Sequence, residues 1–138
     1  MMKKKDFYLG GGIAIILFSF ALRQTFDLEA SIQRGREVYN GQCATCHMAK
    51  GEGIPTIYPP LANSDFLMNE TEKSITMILE GGSENITVNG IAYNGVMPNF
   101  NLSDEHISDV MNFIRNTWGN KGEAVKPEQI KLIREKKS

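Results

Sequence analysis

Cys43-Ala44-Thr45-Cys46-His47 is the stretch on which the reading of this chain turns. Two thiols with two residues between them can each add to one vinyl group of the same haem, and a histidine directly after the second is placed to bind the iron. Other chemistries use the same atoms. A redox dithiol of the thioredoxin type requires a surrounding βαβ pattern, whereas this motif follows a helical stretch and precedes a loop rich in Gly and Pro. Structural zinc requires four ligands, and the only Cys and His residues are Cys43, Cys46, His47 and His106. His106 stands far along the chain, in the first turn of a helix, and reads as a solvated side chain. The motif therefore predicts one haem c, covalently held through Cys43 and Cys46, with His47 on the iron.

Immediately upstream, Ala30 to Gly41 reads as a helix capped by Ser31, with Ile32, Gly35, Val38 and Tyr39 on one side. A glycine inside a helix weakens it unless a neighbour needs close backbone approach. Downstream, Met48 to Pro60 carries Gly51, Gly53, Pro55, Pro59 and Pro60 and reads as loop, with Tyr58 and Leu61 able to close on something apolar. An axial histidine needs its second ring nitrogen hydrogen-bonded, commonly to a carbonyl. A rigid proline loop can supply one.

Further out, Ser64 to Met68 reads as a helical turn. Thr71 is expected to cap a helix that ends at Glu80 before Gly81-Gly82, with Ile75, Ile78 and Leu79 inward. Ile86 to Tyr93 alternates apolar and polar positions around Asn89-Gly90, a signal for a two-stranded hairpin. Ser103 caps the strongest helix, with Ile107, Val110, Met111, Ile114 and Trp118 at spacings of three or four until Gly119. After a polar link, Pro127 opens a short basic helix carrying Ile130, Leu132 and Ile133.

The sixth iron position calls for a soft or imidazole ligand if the site only passes electrons. Met48 is too close to His47 to reach the opposite haem face, and Met68, Met77 and Met111 fall in helical segments as core filler. Met97, between Val96 and Pro98, is on a loop and is the expected ligand. Met/His ligation raises the potential, which suits a carrier of single electrons.

With 138 residues, 41% hydrophobic and 22% charged, the chain has room for one domain and a short extension. Its two cysteines both lie in the motif, so no disulfide framework is available. Residues 24–138 carry 11 Lys and Arg against 15 Asp and Glu, a net of −4 that offers no footprint for nucleic acid. The remaining basic residues, Lys3, Lys4, Lys5 and Arg23, flank an uncharged run from Phe7 to Leu22. Residues 1–23 therefore read as an export signal or an uncleaved membrane anchor, and residues 24–30 as a tether. Either way the domain is expected on the periplasmic side of a bacterial inner membrane.

Taken together, Gly35-x-x-x-Tyr39, Cys43 to His47, Pro59-Pro60-Leu61, Met97-Pro98 and Asn116 to Asn120 resemble the class I, single-haem cytochrome c family over roughly Ser31 to Trp118. The hairpin and terminal helix look like the cytochrome domains that accompany bacterial nitrite reductases and quinoprotein dehydrogenases. The resemblance implies an all-α fold of short helices around one covalent haem, with a small β-hairpin before the axial Met loop. Residues 31–119 would form that domain and residues 120–138 a linker and C-terminal helix. It further implies that Gly35 and Tyr39 meet Val110 and Phe113, that the Pro60 carbonyl orients His47, with Leu61 beside it, and that Met97 completes the iron. The expected function is single-electron transfer without substrate chemistry, with a membrane complex or a soluble reductase or dehydrogenase as the redox partner. Two alternatives stay open: a cytochrome component of a stable redox complex, and a haem sensor or peroxidase-like protein with an open iron site.

Overall fold

The computed structural model describes residues 25–136, so the predicted export segment, residues 1–23, lies outside the described residues. Helix α1 runs over Leu28–Val38 and is capped by Asp27, whose carboxylate accepts the Ala30 amide at 3.0 Å. The helix thus begins ahead of Ser31, the expected cap, and takes in residues 28–30 of the expected tether. Past Val38 the winding widens into a π-turn over Tyr39–Cys43, where the Ala44 amide reaches back to the Tyr39 carbonyl. Helix α2, Ala44–His47, completes the segment. Such π-turns re-aim the residues that follow them, and here Cys43 and Cys46 come to line one cavity.

Helix α5, Asp104–Ile114, is capped as predicted by Ser103, whose hydroxyl accepts the His106 amide at 3.3 Å. Its inward side, Ile107, Val110, Met111, Phe113 and Ile114, is buried, and α1 packs on it more extensively than any other described pair of elements does. Gly35 is what permits this. A Cβ there would run into the Asp109 carbonyl and stand 2.8 Å from Phe113 Cβ. Tyr39, fully buried, meets Phe113 at 5.4 Å between ring centroids and Trp118 at 5.1 Å. The expected meeting with Phe113 is present, and the glycine itself lies against Asp109.

Along that crossing runs a polar seam. Asp109, 3% exposed, accepts from the Ser31 hydroxyl at 2.6 Å and from the Arg34 guanidinium through Nε at 2.7 Å and Nη2 at 2.8 Å. Asn112 donates to Ser31 Oγ and to the Val125 carbonyl, both at 2.8 Å, and accepts the Val125 amide at 2.7 Å. The link after α5 is therefore fastened to the core at Val125. Ser31 is the hinge of the seam, both donating and accepting. Ser31→Ala is expected to destabilise the haem-loaded protein by about 1–2 kcal/mol, because Asp109 and Asn112 each lose a buried partner. A denaturant midpoint unchanged from the parent would show that the seam contributes nothing.

The other elements close around the cavity. Helix α3, Asp65–Asn69, is capped by Ser64. Helix α4, Thr71–Glu80, starts after Glu70 without a side-chain cap; the Thr71 hydroxyl, expected as the cap, accepts from Arg115 Nη1 at 2.7 Å instead. Strands β1, Ile86–Val88, and β2, Ile91–Tyr93, pair antiparallel with Ile86 opposite Tyr93 and Val88 opposite Ile91. At the turn, Asn89 and Gly90 have φ of 51° and 79°, the left-handed pair that a tight hairpin requires. Helix α6, Pro127–Glu135, lays Ile130 and Ile133 into the core against α4 and α5. Arg134 pins it to Asp104 at 2.8 Å. The terminal helix is thus a cap on the domain, with Leu132 left 58% exposed.

Candidate functional site

Cys43 comes from the end of the π-turn, Cys46 and His47 from α2, and both thiols are half-buried. The next segment turns sharply back: Gly53 N–H donates to the His47 carbonyl at 3.1 Å, and the Leu61 and Ala62 amides both donate to the Gly51 carbonyl, at 2.7 and 2.9 Å. Gly53, at φ +62°, is needed here, since a Cβ would lie 2.8 Å from the Pro59 carbonyl oxygen. This closure sets the register of the proline loop. His47 Nδ1 donates to the Pro59 carbonyl at 2.9 Å.

The carbonyl at His47 is therefore that of Pro59, one residue before the expected Pro60. The physical reason is that Pro59 precedes a proline, so its carbonyl belongs to an amide without N–H and its backbone is held extended, away from local pairing. Pro60 and Leu61 line the apolar cavity beside it. The hydrogen bond fixes the proton on Nδ1 and leaves the Nε2 lone pair free. Burial lowers the His47 pKa from its ordinary value, and the Pro59 hydrogen bond acts in the opposite direction. The ring is held as a neutral imidazole, the form that binds metal.

Two adjoining lobes of the cavity share Cys43, His47, Pro59, Met77, Ile86 and Met97. Met97 is held at the backbone, where its amide donates to the Gly82 carbonyl at 2.7 Å and its carbonyl accepts the Gly82 amide at 2.9 Å. Met111 is fully buried core, as expected of filler. Met77, expected as filler too, is in the cavity wall, with its tip so near Gly82 that a Cβ there would lie 2.7 Å from Met77 Cε. The inner face of the hairpin, Ile86, Val88 and Tyr93, supplies a further wall. That contribution was not read from the sequence; the alternation of buried Val88 and Tyr93 with exposed neighbours carried the signal.

The donor set fits a covalently held haem. Two thiols, a neutral imidazole with one free nitrogen, and a loop methionine line two adjoining lobes, and Cys43, His47 and Met97 reach the one walled by Leu61, Ile78, Val110 and Ile114. Among the described residues the setting of a redox dithiol is absent, because the motif sits between α1 and the proline loop instead of in a βαβ unit; burial, helped by Cys46, pushes the Cys43 thiol up to about 11. His106 is exposed at the start of α5, away from the cavity lining. Among the described residues no cluster of three or more His, Cys, Asp or Glu could hold a metal ion.

Residues 32–118 match the sequence model of the protein family described as cytochrome c. The chain belongs to the cytochrome c family. Over 113 residues it is 42% identical to cytochrome c-552 of Thermus thermophilus, covering 75% of this chain and 86% of that one. It is 36% identical over 88 residues to the cytochrome c subunit of alcohol dehydrogenase (quinone) of Gluconobacter oxydans, covering 62% of this chain but 18% of that protein. Over 96 residues it is 34% identical to the cytochrome c subunit of gluconate 2-dehydrogenase of Pantoea cypripedii, covering 67% of this chain and 22% of that protein. As a member of the cytochrome c family the chain carries haem c covalently at its Cys43-x-x-Cys46-His47 motif and serves as an electron carrier. Its fold is the cytochrome c fold, mostly helical with one small hairpin.

Proposed function

We propose that this cytochrome c carries single electrons on the periplasmic side of a bacterial inner membrane, with His47 and Met97 as the two axial ligands and no substrate chemistry of its own. The observation that carries the reading is the fixed imidazole. His47 is tied through Nδ1 to the Pro59 carbonyl and shares its cavity with both cysteines and Met97. The haem supplies the one-electron couple. Cys43 and Cys46 would hold it, the Pro59 carbonyl orients the imidazole, and the apolar wall excludes water.

Residues 1–23 act as the export signal or anchor, and among the described residues no helix is long and apolar enough to cross a membrane. The partners are redox proteins, a membrane complex or a soluble reductase or dehydrogenase, met in transient encounters. A second reading, membership of a stable complex, is favoured by relatives described as cytochrome c subunits of dehydrogenases. The packing of α6 supports the free carrier, because Ile130 and Ile133 are spent inside the domain and only Leu132 of its apolar residues stays exposed. Purification of the native protein from membranes and from the soluble periplasm tests this. A single haem protein that titrates with one electron is expected, and reproducible co-purification with a catalytic partner would replace the carrier with the second reading. Haem that comes away in acidified organic solvent would contradict two thioether bonds.

A further inference from the structure

Met48, the residue directly after His47, has φ 66° and ψ 163°. That combination lies outside the small left-handed well and is open without strain to glycine alone, because a Cβ there crowds the flanking carbonyls. Asn63, Asn89 and Asn101 also have positive φ, but asparagine is a residue type that tolerates it. A methionine has no such tolerance. Strain of this kind persists only where the surroundings over-determine it. Here the Met48 carbonyl accepts the Tyr39 hydroxyl at 2.6 Å and the Gly51 amide at 3.1 Å. Gly51 belongs to the same loop and moves with it. Tyr39 does not: it is fully buried, with its ring against Phe113 and Trp118. Burial also raises the Tyr39 pKa, so the hydroxyl stays a donor through the ordinary pH range.

The setting of His47 depends on this peptide. The chain leaves α2 at Met48 and enters the turn whose Gly53 amide returns to the His47 carbonyl at 3.1 Å and whose Pro59 carbonyl accepts from His47 Nδ1 at 2.9 Å. Were Met48 to relax to an ordinary conformation, the loop would leave α2 in another direction and carry the Pro59 carbonyl off the ring. We propose that Tyr39 is a positioning residue for the iron's imidazole, its hydroxyl clamping the strained Met48 peptide so that the Pro59 carbonyl stays on Nδ1. The inference rests on the reading of His47 as an iron ligand. The tyrosine ring fills the core, and the hydroxyl acts on the ligand. A carbonyl held on Nδ1 raises the basicity of the imidazole toward iron, which favours the oxidised state. Loosening that bond therefore raises the potential.

Tyr39→Phe keeps the ring and removes the clamp. In the reduced, haem-loaded protein, hydrogen exchange at His47 Nδ1, followed by NMR, is expected to become about tenfold faster or more, as one buried hydrogen bond is lost from a local opening equilibrium. The midpoint potential is expected to rise above that of the parent. Ser31→Ala is the comparison, because it removes a buried hydrogen-bonding hydroxyl of the same helix without touching the loop. It is expected to leave exchange within about threefold of the parent and the potential unchanged. Met48→Gly relieves the strain, and in that background removing the Tyr39 hydroxyl is expected to speed exchange by less than about threefold. The proposal is overturned if Tyr39→Phe moves exchange and potential no more than Ser31→Ala does, or if its full effect persists in the Met48→Gly background. Failure of the ligand reading looks different: the His47 ring protons of the reduced parent would lack the upfield shift that the ring current of a ligated haem imposes.

Discussion

Replacing Gly35 by Ala is expected to destabilise the haem-loaded protein by about 3 kcal/mol or more, the high end of what overpacking a core produces. On an isolated helix the change would have the opposite sign, because Ala is favoured over Gly by about 1 kcal/mol. Here the added methyl meets the Asp109 carbonyl of α5, which is backbone and cannot rotate away, with Phe113 Cβ 2.8 Å off on the other side. Sliding α1 to relieve the clash would pull Ser31 and Arg34 off Asp109, to which they are bonded at 2.6–2.8 Å. The helices must separate or the seam must break. Gly41 is the control: it has nothing within 4 Å of its would-be Cβ, and Gly41→Ala should leave stability within about 0.5 kcal/mol. Denaturant midpoints of the two variants decide the matter. Near-equal values would mean that α1 and α5 do not cross as tightly as Gly35 implies.

The residues that announced the fold did so through local chemistry. Asn89-Gly90 turns because Asn and Gly tolerate positive φ, Ser103 caps because its hydroxyl meets an amide three residues on, and the five-residue haem motif needs no distant partner to be recognised. Where the reading slipped, the deciding interaction was remote. Ser31 has the composition of a cap, but its partners Asp109 and Asn112 lie 78 and 81 residues away. Asp27, the real cap, stood in an equally legible place four residues earlier. Thr71 is claimed by Arg115 across 44 residues. Pro59 displaced Pro60 because the loop register is set by the Gly51 carbonyl and the Leu61 and Ala62 amides.

The length of α5 shows the same competition at short range. Its apolar period continues to Trp118, yet the helix stops at Ile114. Asn116 Nδ2 donates to the Asn112 carbonyl at 3.0 Å and Thr117 Oγ1 to the Phe113 carbonyl at 2.6 Å. These side chains take acceptors that further helical amides would have used. Trp118, at φ +54°, then turns back onto Tyr39 and Phe113. Asn120 closes the turn with bonds to the Ile114 and Leu61 carbonyls at 2.7 and 2.8 Å. The motif that reads as a helix end is a latch between α5 and the proline loop beside His47.

Met97→Ala is expected to leave the haem attached, since both cysteines remain, while abolishing the Met-to-iron charge-transfer band of the oxidised protein. The potential should fall by on the order of 100 mV or more, a moderate part of the roughly 0.8 V that axial ligands span. The reduced variant should also bind carbon monoxide, which the parent should not. Met77 is the informative comparison, because it lines the same cavity on α4. Its tip is pressed against Gly82, and the Gly82 backbone is in turn paired with Met97 through two hydrogen bonds of 2.7 and 2.9 Å. Met77 therefore backs the Met97 loop through Gly82. Met77→Leu, similar in volume and without sulfur, should keep the band and cost less than about 1.5 kcal/mol of stability. If the band survives Met97→Ala and disappears in Met77→Leu, the two methionines have exchanged roles and the loop is only a wall. If it survives both, another methionine sulfur is the ligand, whereas a parent protein that shows no such band would make the open-iron alternative the one to test.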